Sequence, residues 1–326
     1  MSVIGVDIGG TKIASVLVDE TGSIVSTDYR MTGVEYGEQA TIDSIAKSIL
    51  KLVAIDPAAR GIGIDVPGQV DPASGTVRNA VNLGWDEVKL QERLAAYLPA
   101  GVPISIERDT YAQTLGEHIF GVGQGEQNMV YLSLGSGLGA GAMVDGQLLR
   151  GSIRSALEVG HLAMTGLQLR CACGNTGCAE TILSGPGLVR TFQSQAWNPD
   201  LPSPWMDRGD LTAHEILEAA KAGDLRAAAV VEYLGRYLGE MCANLAMILN
   251  PSLIVIGGGF GLAAYEQVIT PAWEEMKLRS LAQNHQCLTV KKSGLSSSGL
   301  GAAALVWHFD RMSQEGGGSG LKIPIR

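Results

Sequence analysis

The stretch VIGVDIGGTKIASVLV, residues 3–18, decides the fold of this chain. Its two halves, 3–8 and 13–18, are rich in β-branched residues and flank the glycine turn 9–12, so the pattern predicts a β-hairpin. Glycine has no Cβ, and a glycine-rich backbone can therefore approach an anion such as phosphate closely. A single glycine hairpin is more often an ordinary tight turn, so its meaning depends on the rest of the chain.

The hairpin pattern returns in the second half of the chain, at VYLSLGSGLGAGAMVDG, residues 130–146. Laid over residues 4–22, this stretch places Gly135 opposite Gly9, which indicates a duplicated α/β fold; a chance match of two glycine-rich hairpins is the alternative. A third glycine turn, 257–259, follows another apolar strand. None of the turns has the Walker or the dinucleotide-binding pattern, and together they favour one nucleotide lying between two lobes.

The remaining pattern alternates short strands with helices of ordinary length. Apolar spacing and turn residues predict, in order, a helix over 39–55, strands over 61–66 and 104–107, a helix from 109 to about 120, a long helix over 224–250, a strand over 253–256 and a last helix from 300.

Composition excludes several classes of protein. The 326 residues are 46% hydrophobic and 17% charged, which describes a globular chain with a large core. The formal net charge of −9 argues against an extended basic footprint for nucleic acid. No secretory signal pattern opens the chain, and the longest apolar stretch, near 241–256, is broken by Asn250-Pro251. We therefore expect a cytoplasmic protein with no nucleic-acid and no membrane partner.

Three of the five cysteines crowd into one segment, which is unusual for a disulfide framework. Cys171, Cys173 and Cys178, together with His161, offer three thiolates and one imidazole, a set suited to tetrahedral structural zinc. The C-x-C spacing is not the common C-x₂-C, so on spacing alone the alternative of small buried cysteines stays open.

Four motifs resemble the repressor–open-reading-frame–kinase (ROK) family, and they occur in the expected order over about residues 3–310. They are DIGGTK at 7–12, EVGH at 158–161, CACGNTGCAE at 171–180 and LIVIGGG at 253–259. The family includes bacterial glucokinases and the kinases of N-acetylglucosamine and N-acetylmannosamine.

The resemblance implies a two-lobed actin-like ATPase (ribonuclease H-like) fold. An N-terminal lobe would span 1–117, with the C-terminal helix 300–313 packing back on it. A larger lobe with the zinc-binding loop would span 118–299, and 314–326 would form a flexible tail. ATP with Mg²⁺ and the sugar would bind in the cleft between the lobes, and zinc would be held by His161 and the three cysteines.

The resemblance also assigns site residues. Asp7 would lie near the metal–phosphate region, and the turns would bind the nucleotide through Gly9, Gly10, Thr11, Lys12, Gly135, Ser136, Gly137, Gly139, Gly257, Gly258 and Gly259. The sugar would be bound by Asn82, Arg108, Asp109, Glu158, His161 and Glu180, whose amide, imidazole and carboxylates can satisfy hydroxyls that both donate and accept.

Asp109 falls at the catalytic aspartate of the family. An aspartate there can accept the proton of a sugar hydroxyl, the 6-hydroxyl by family analogy, while orienting that hydroxyl toward the γ-phosphate. Taken alone, an aspartate at a helix start is better explained as a helix N-cap.

Arg108 departs from the family, which usually has asparagine before the catalytic aspartate. Arginine is longer and permanently charged. It could lower the pKa of Asp109, select a different or an acidic substrate, or point away from the site.

The sequence thus predicts an ATP-dependent hexose kinase, with glucose as the first substrate to test and the N-acetylhexosamines next. The resemblance implies a homodimer, which a monomeric mass in solution would contradict. One rival is an inactive sugar-binding sensor, motivated by Arg108. The other is a sugar-responsive repressor, which we expect less because those repressors carry an N-terminal helix-turn-helix, whereas here the first strand is predicted from Val3.

Overall fold

The computed structural model describes residues 2–99, 101–195, 197–198 and 200–315, with side chains described up to residue 308. The chain divides into two compact units. The first combines the residues up to 124 with those from 294 onward, and the second spans 125–293. The family resemblance places these limits a few residues away, at 117/118 and 299/300.

The strands are β1 (Ser2–Ile8), β2 (Lys12–Asp19), β3 (Ile24–Met31), β4 (Ile62–Val66), β5 (Gln69–Asp71), β6 (Thr76–Ala80), β7 (Trp85–Lys89), β8 (Ile104–Arg108), β9 (Met129–Leu134), β10 (Leu138–Val144), β11 (Gln147–Leu148), β12 (Leu253–Gly257) and β13 (Thr289–Lys292).

The α-helices are α1 (Glu38–Val53), α2 (Leu90–Ala95), α3 (Asp109–Ile119), α4 (Gly185–Gln193), α5 (Ala213–Lys221), α6 (Leu225–Leu249), α7 (Gly259–Arg279), α8 (Ala282–His285) and α9 (Gly299–Glu315). Short 3₁₀ turns occur at Val34–Tyr36, Val81–Leu83, Val159–His161 and Ala179–Thr181. Within the described part of the chain, none of these helices is long and apolar enough to cross a bilayer.

The first unit is built on a five-stranded sheet in the order β3-β2-β1-β4-β8. Strands β1 and β2 form the antiparallel hairpin that the sequence predicts, while β1, β4 and β8 run parallel. The register places Asp7 beside Asp65 on β4, and Asp65 beside Glu107 on β8. Three acidic residues therefore lie side by side near the carboxyl ends of three parallel strands.

Helix α9 packs directly on this sheet because glycines leave room for its backbone. A Cβ on Gly5 of β1 would overlap the carbonyl of Gly299, and one on Gly63 of β4 would overlap the carbonyl of Ala302. The contact brings the start of α9 to the strands that carry Asp7 and Asp65. The helix continues to Glu315, two residues beyond its predicted end at 313. Of the predicted tail, residues 316–326 lie outside the described part of the chain.

The second unit repeats this topology. Its sheet has the order β11-β10-β9-β12-β13, with β9 and β10 antiparallel and β9, β12 and β13 parallel. In both sheets the hairpin partner and one further strand lie on one side of the first strand, and two parallel strands lie on the other. The repeated order of strands confirms the predicted duplication.

Two helices of the second unit show where sequence patterns work and where they do not. Helix α6 matches its prediction closely, and Asp224 caps it by accepting from the Ala227 amide at 2.9 Å. The pattern does not predict α7, which contains Pro271 and has its apolar residues spread around the helix. The small sheet β5-β6-β7 is not predicted either, because its strands have only three to five residues.

Arg226, at the start of α6, is almost completely buried, with 1% of its surface exposed. Its guanidinium donates to five backbone carbonyls at 2.6–2.9 Å. It lies 5.3 Å from the ring centroid of Trp197 and 5.8 Å from that of Phe192. The five carbonyls belong to Phe192, Ser194, Trp197, Asn198 and Leu201. Arg226 therefore holds the loop that follows α4 in place.

We expect Arg226→Met to lower the free energy of unfolding by about 3 kcal/mol or more, because it leaves five carbonyls without their donor. Arg236→Met on the same helix is the matched control. Arg236 forms an exposed ion pair with Glu232, so its loss should change stability by less than about 1 kcal/mol. Urea unfolding of both variants measures the difference, and equal small losses would contradict this role of Arg226.

Candidate active site

The glycine turn 9–12 of the first unit is fixed by Thr32, whose hydroxyl donates to the Gly9 carbonyl at 2.7 Å. The other three residues of the turn are exposed. A Cβ on Gly10 would lie 3.2 Å from Asn82, so a predicted nucleotide residue and a predicted sugar residue are neighbours. The turn is thus anchored on one side and open to a ligand on the other.

Asp65 is the fully buried member of a cluster of carboxyl groups that includes Asp7 and Asp109. Burial raises the pKa of Asp65 well above its ordinary value, and the nearby charge of Asp7, the hydrogen bond to Asp7 and the charge of Asp109 raise that pKa further. The Gln113 side chain donates to Asp65 Oδ2 at 2.8 Å, and this hydrogen bond acts to lower the pKa of Asp65.

Asp109 is the first residue of α3, and Arg108 occupies the N-cap position in extended conformation. The alternative interpretation of Asp109 as the N-cap is therefore wrong. Its Oδ1 accepts from the amide of the next residue, Thr110, at 2.7 Å. A carboxylate in the first turn of a helix is favoured in its ionised form by the helix dipole.

The Arg108 guanidinium lies 5.1 Å from the ring centroid of Tyr111, which is fully buried. This distance is within the range of a cation–π contact. The Arg108 side chain, at the end of β8, therefore packs against the first turn of α3, which carries Asp109.

The second glycine turn, 135–139, contacts two other predicted motifs. The Leu138 amide donates to Glu180 Oε2 at 2.9 Å, and a Cβ on Gly137 would overlap the same carboxylate. A Cβ on Gly160, in the EVGH motif, would overlap the Leu138 carbonyl. Glu180, predicted as a sugar ligand, is thus held by the turn predicted to bind phosphate. Of the other turn residues, Gly139 lies in β10 and Ser136 lines a cavity described below.

The third glycine turn begins α7. Gly258 has a φ of 77°, a conformation that favours glycine, and a Cβ there would overlap the Leu134 carbonyl at the end of β9. Gly257 ends β12 and Gly259 is the first residue of α7. The turns 135–139 and 257–259 therefore meet at the carboxyl ends of neighbouring parallel strands, where α/β folds usually bind ligands.

A cavity of about 770 Å³ in the second unit opens beside the turn 135–139. Its lining includes Gly135, Ser136 and the first residues of α4, Gly185 and Pro186. The volume suits a nucleotide-sized ligand. A smaller cavity of about 220 Å³ shares Ser136 with it and includes Glu180 in its lining. The sequence pattern does not predict α4, because this helix is only nine residues long and directly follows the cysteine-rich segment.

The four predicted zinc ligands come together. One ligand atom from each of His161, Cys171, Cys173 and Cys178 lies within 4.8 Å of the others. The Sγ atoms of Cys173 and Cys178 are 3.6 Å apart, and Cys171 Sγ is 3.9 Å from His161 Nδ1. Tetrahedral zinc with bonds of about 2.0–2.3 Å separates its ligand atoms by roughly 3.5–3.8 Å, so these residues fit the ion.

The thiols of this cluster differ in acidity. A hydrogen bond from the Asn175 backbone and neighbouring thiols lower the pKa of Cys173 to about 7. Burial and the neighbouring thiols raise the pKa of Cys178 to about 12. Three crowded thiols cannot all ionise without a compensating cation, which is the chemistry of a metal site.

Glu158, at the start of the same segment, is exposed and accepts from the Ser155 hydroxyl at 3.2 Å.

Taken together, the two repeated sheets and their glycine turns define a two-lobed actin-like ATPase fold, as the sequence analysis predicts. The ROK family profile matches residues 3–308, and the chain belongs to the ROK family. The resemblance drawn from the four motifs is thereby confirmed.

Several relatives of different function are similar to this chain. A glucokinase from Halalkalibacterium halodurans is 34% identical over 268 residues, 80% of this chain and 81% of that protein. The crystal structure of a ROK family glucokinase from Streptomyces griseus in complex with glucose and AMPPNP has a TM-score of 0.79 and 32% identity, covering 94% of this chain and 99% of the other. A xylose repressor from Caldicellulosiruptor bescii is 33% identical over 264 residues, 78% of this chain and 65% of the repressor.

The raised pKa of Asp65 predicts an unusual dependence of stability on pH. Because the pKa of Asp65 is higher in the folded than in the unfolded protein, protonation of Asp65 stabilises the folded state. This stabilisation is fully present below the pKa of the unfolded state, about 3.9, and is lost as pH rises toward the pKa of the folded state. The free energy of unfolding of the wild type should therefore fall relative to that of Asp65→Asn by about 1.4 kcal/mol per pH unit above a pH of about 4.

Urea unfolding of the wild type and Asp65→Asn between mildly acidic and neutral pH measures this difference. Asparagine has nearly the same shape and does not titrate, so it removes only the proton linkage. Parallel stability curves for the two proteins would show that Asp65 has no raised pKa.

Proposed function

We propose that this protein is an ATP-dependent hexose kinase that transfers the γ-phosphoryl group of ATP to the 6-hydroxyl of a hexose, with glucose as the first candidate. The position of Asp109, at the start of α3 and beside the Asp7–Asp65 pair, carries this proposal. The identity to glucokinases and the likeness to a structure holding glucose and AMPPNP support it.

Asp109 is the general base in this proposal. It accepts the proton of the sugar hydroxyl as the hydroxyl oxygen bonds to the γ-phosphorus and the bond from that phosphorus to the departing ADP oxygen breaks. Its place in the first turn of α3 favours the carboxylate that this role needs. Asn82, Arg108, Glu158, His161 and Glu180 are the proposed partners of the remaining sugar hydroxyls.

The proposed nucleotide contacts are the three glycine turns and, in the second unit, the cavity that Gly135, Ser136 and Gly185 line. Bound Mg²⁺ would neutralise charge on the phosphates, with Asp7 nearby. The cavity adds the start of α4 to the contacts that the family resemblance implies.

The test is ADP release with Mg·ATP against a panel of hexoses and N-acetylhexosamines. Asp109→Asn should lower kcat by roughly 10²–10⁴-fold, since it keeps the shape of the side chain but cannot accept the proton. The control is Asp71→Asn, a half-buried aspartate of the first unit that accepts hydrogen bonds from its own turn, and it should keep wild-type activity. Equal activity of Asp109→Asn and the wild type would contradict the proposed base.

A sugar-binding regulator without kinase activity is the second candidate. The similarity to a xylose repressor and the arginine at position 108 favour it. Calorimetric binding of a sugar by folded wild-type protein, with no ADP released in the presence of that sugar, would support this candidate over the kinase.

We also propose that His161, Cys171, Cys173 and Cys178 hold one structural zinc ion. The ion would stiffen the segment that carries Glu158, His161 and Glu180 without taking part in phosphoryl transfer. A closed set of four protein ligands suits this structural role.

Elemental analysis of the purified protein should find one zinc per chain. Cys178→Ser should lose the zinc and raise the KM for sugar, because the loop is no longer fixed. Cys287→Ser, at an exposed cysteine outside the cluster, should keep both. Wild-type protein that binds sugar normally with no zinc present would overturn the assignment.

A further inference from the structure

Four residues of the first unit, Asp7, Asp65, Gln113 and Ser298, are linked in a closed ring of polar contacts. The Ser298 hydroxyl donates to Asp7 Oδ2 at 2.5 Å, and Asp7 and Asp65 are direct neighbours in the register of β1 and β4, which brings their carboxyls close enough to share a proton. The Gln113 amide closes the ring by donating to Asp65 Oδ2 at 2.8 Å and to the Ser298 carbonyl at 2.9 Å. The ring connects β1, β4, α3 and the loop before α9.

A hydrogen bond between two carboxyl groups requires a proton on one of them, because ionised carboxylates only accept. Asp65 Oδ1 is buried and finds no donor among the described residues. An oxygen that itself carries the proton needs no donor. Asp65 is fully buried, whereas Asp7 is only partly buried, so burial also favours the neutral form at Asp65.

The ring includes Asp7 and also contacts α3, the helix that carries Asp109. Asp7 accepts a hydrogen bond from Ser298 and, when Asp65 is protonated, a second one from its neighbour Asp65, and together these fix the Asp7 carboxylate at the end of β1. Gln113 lies one turn after Asp109 on α3, so its bonds to β4 and to the loop before α9 fix the start of that helix. A neutral Asp65 also keeps a third negative charge away from Asp7 and Asp109.

We propose that Asp65 is a positioning residue of this enzyme: as a neutral carboxylic acid it holds the Asp7 carboxylate and, through Gln113, the first turn of α3 with Asp109. This inference rests on the proposed kinase function. Neither Asp65 nor Gln113 touches the substrate in it, and both act through the residues that they hold.

Asp65→Asn and Asp65→Leu separate this role from simple packing. Asparagine can donate to Asp7 and accept from Gln113, so it should keep kcat within about threefold of the wild type. Leucine has a similar volume but breaks the ring, and kcat should fall by roughly 100-fold with little change in the KM for sugar. Gln113→Leu, which breaks the ring at its other side, should behave like Asp65→Leu.

The matched control is Asp28→Leu, on β3 of the same sheet. Asp28 is also a buried carboxyl, but it bonds to Ser48 and Lys51 and takes no part in the ring. Its loss should lower stability and leave kcat unchanged. Wild-type kcat in Asp65→Leu, or an Asp65→Asn variant as impaired as Asp65→Leu, would overturn the inference.

The failure of this inference can be told apart from a failure of the proposed function. If the wild type phosphorylates no sugar in the panel, the kinase proposal fails and kinetics cannot test the ring. Urea unfolding at neutral pH then tests it, because Asp65→Leu should be clearly less stable than Asp65→Asn if the ring exists. Equal stability of those two variants would show that no such ring forms.

Discussion

Repulsion among acidic side chains is the constraint on which the first unit depends. Parallel β1, β4 and β8 bring Asp7, Asp65 and Glu107 side by side, and α3 adds Asp109 close to them. Buried charges of one sign cannot be left uncompensated. A neutral Asp65, as proposed above, removes one of these charges; Gln113 of α3 donates to Asp65, and Ser298, just before α9, donates to Asp7. The close backbone packing of α9 on β1 and β4, at their glycines, is what allows Ser298 to reach Asp7.

The second unit repeats the topology of the first but not its chemistry. Where the first unit has carboxyl groups at its strand ends, the second has glycines, at 135–139 and 257–259, and a large cavity beside the turn 135–139. Its buried cation, Arg226, is satisfied by backbone carbonyls rather than by carboxylates. The first unit thus carries the carboxyl cluster that includes Asp109, and the second carries the nucleotide-sized cavity.

Much of this organisation was predictable from the sequence, because it depends on local patterns. The hairpins and α6 follow from periodicity and turn residues, whereas the cluster of His161 with the three cysteines is predicted from their crowding in the chain together with the family resemblance. The ring of Asp65, Gln113 and Ser298 was not predictable, since these residues lie far apart in the chain and only strand register and helix packing bring them together. The one signal was an aspartate within the apolar strand GIGIDV, where a charged residue is rarely buried without a reason. No sequence pattern indicated the structural role of Arg226, because its partners are backbone carbonyls.

The most direct test of the account is the identity of the product. Phosphorus NMR of a mixture of the protein, Mg·ATP and glucose follows every phosphate in the reaction at once. The account predicts that the γ-phosphate signal of ATP is replaced by that of a phosphate monoester coupled to the protons on carbon 6 of the sugar, with ADP formed in equal amount. Release of inorganic phosphate alone, or ATP that stays intact with every hexose and N-acetylhexosamine offered to folded protein, would contradict it.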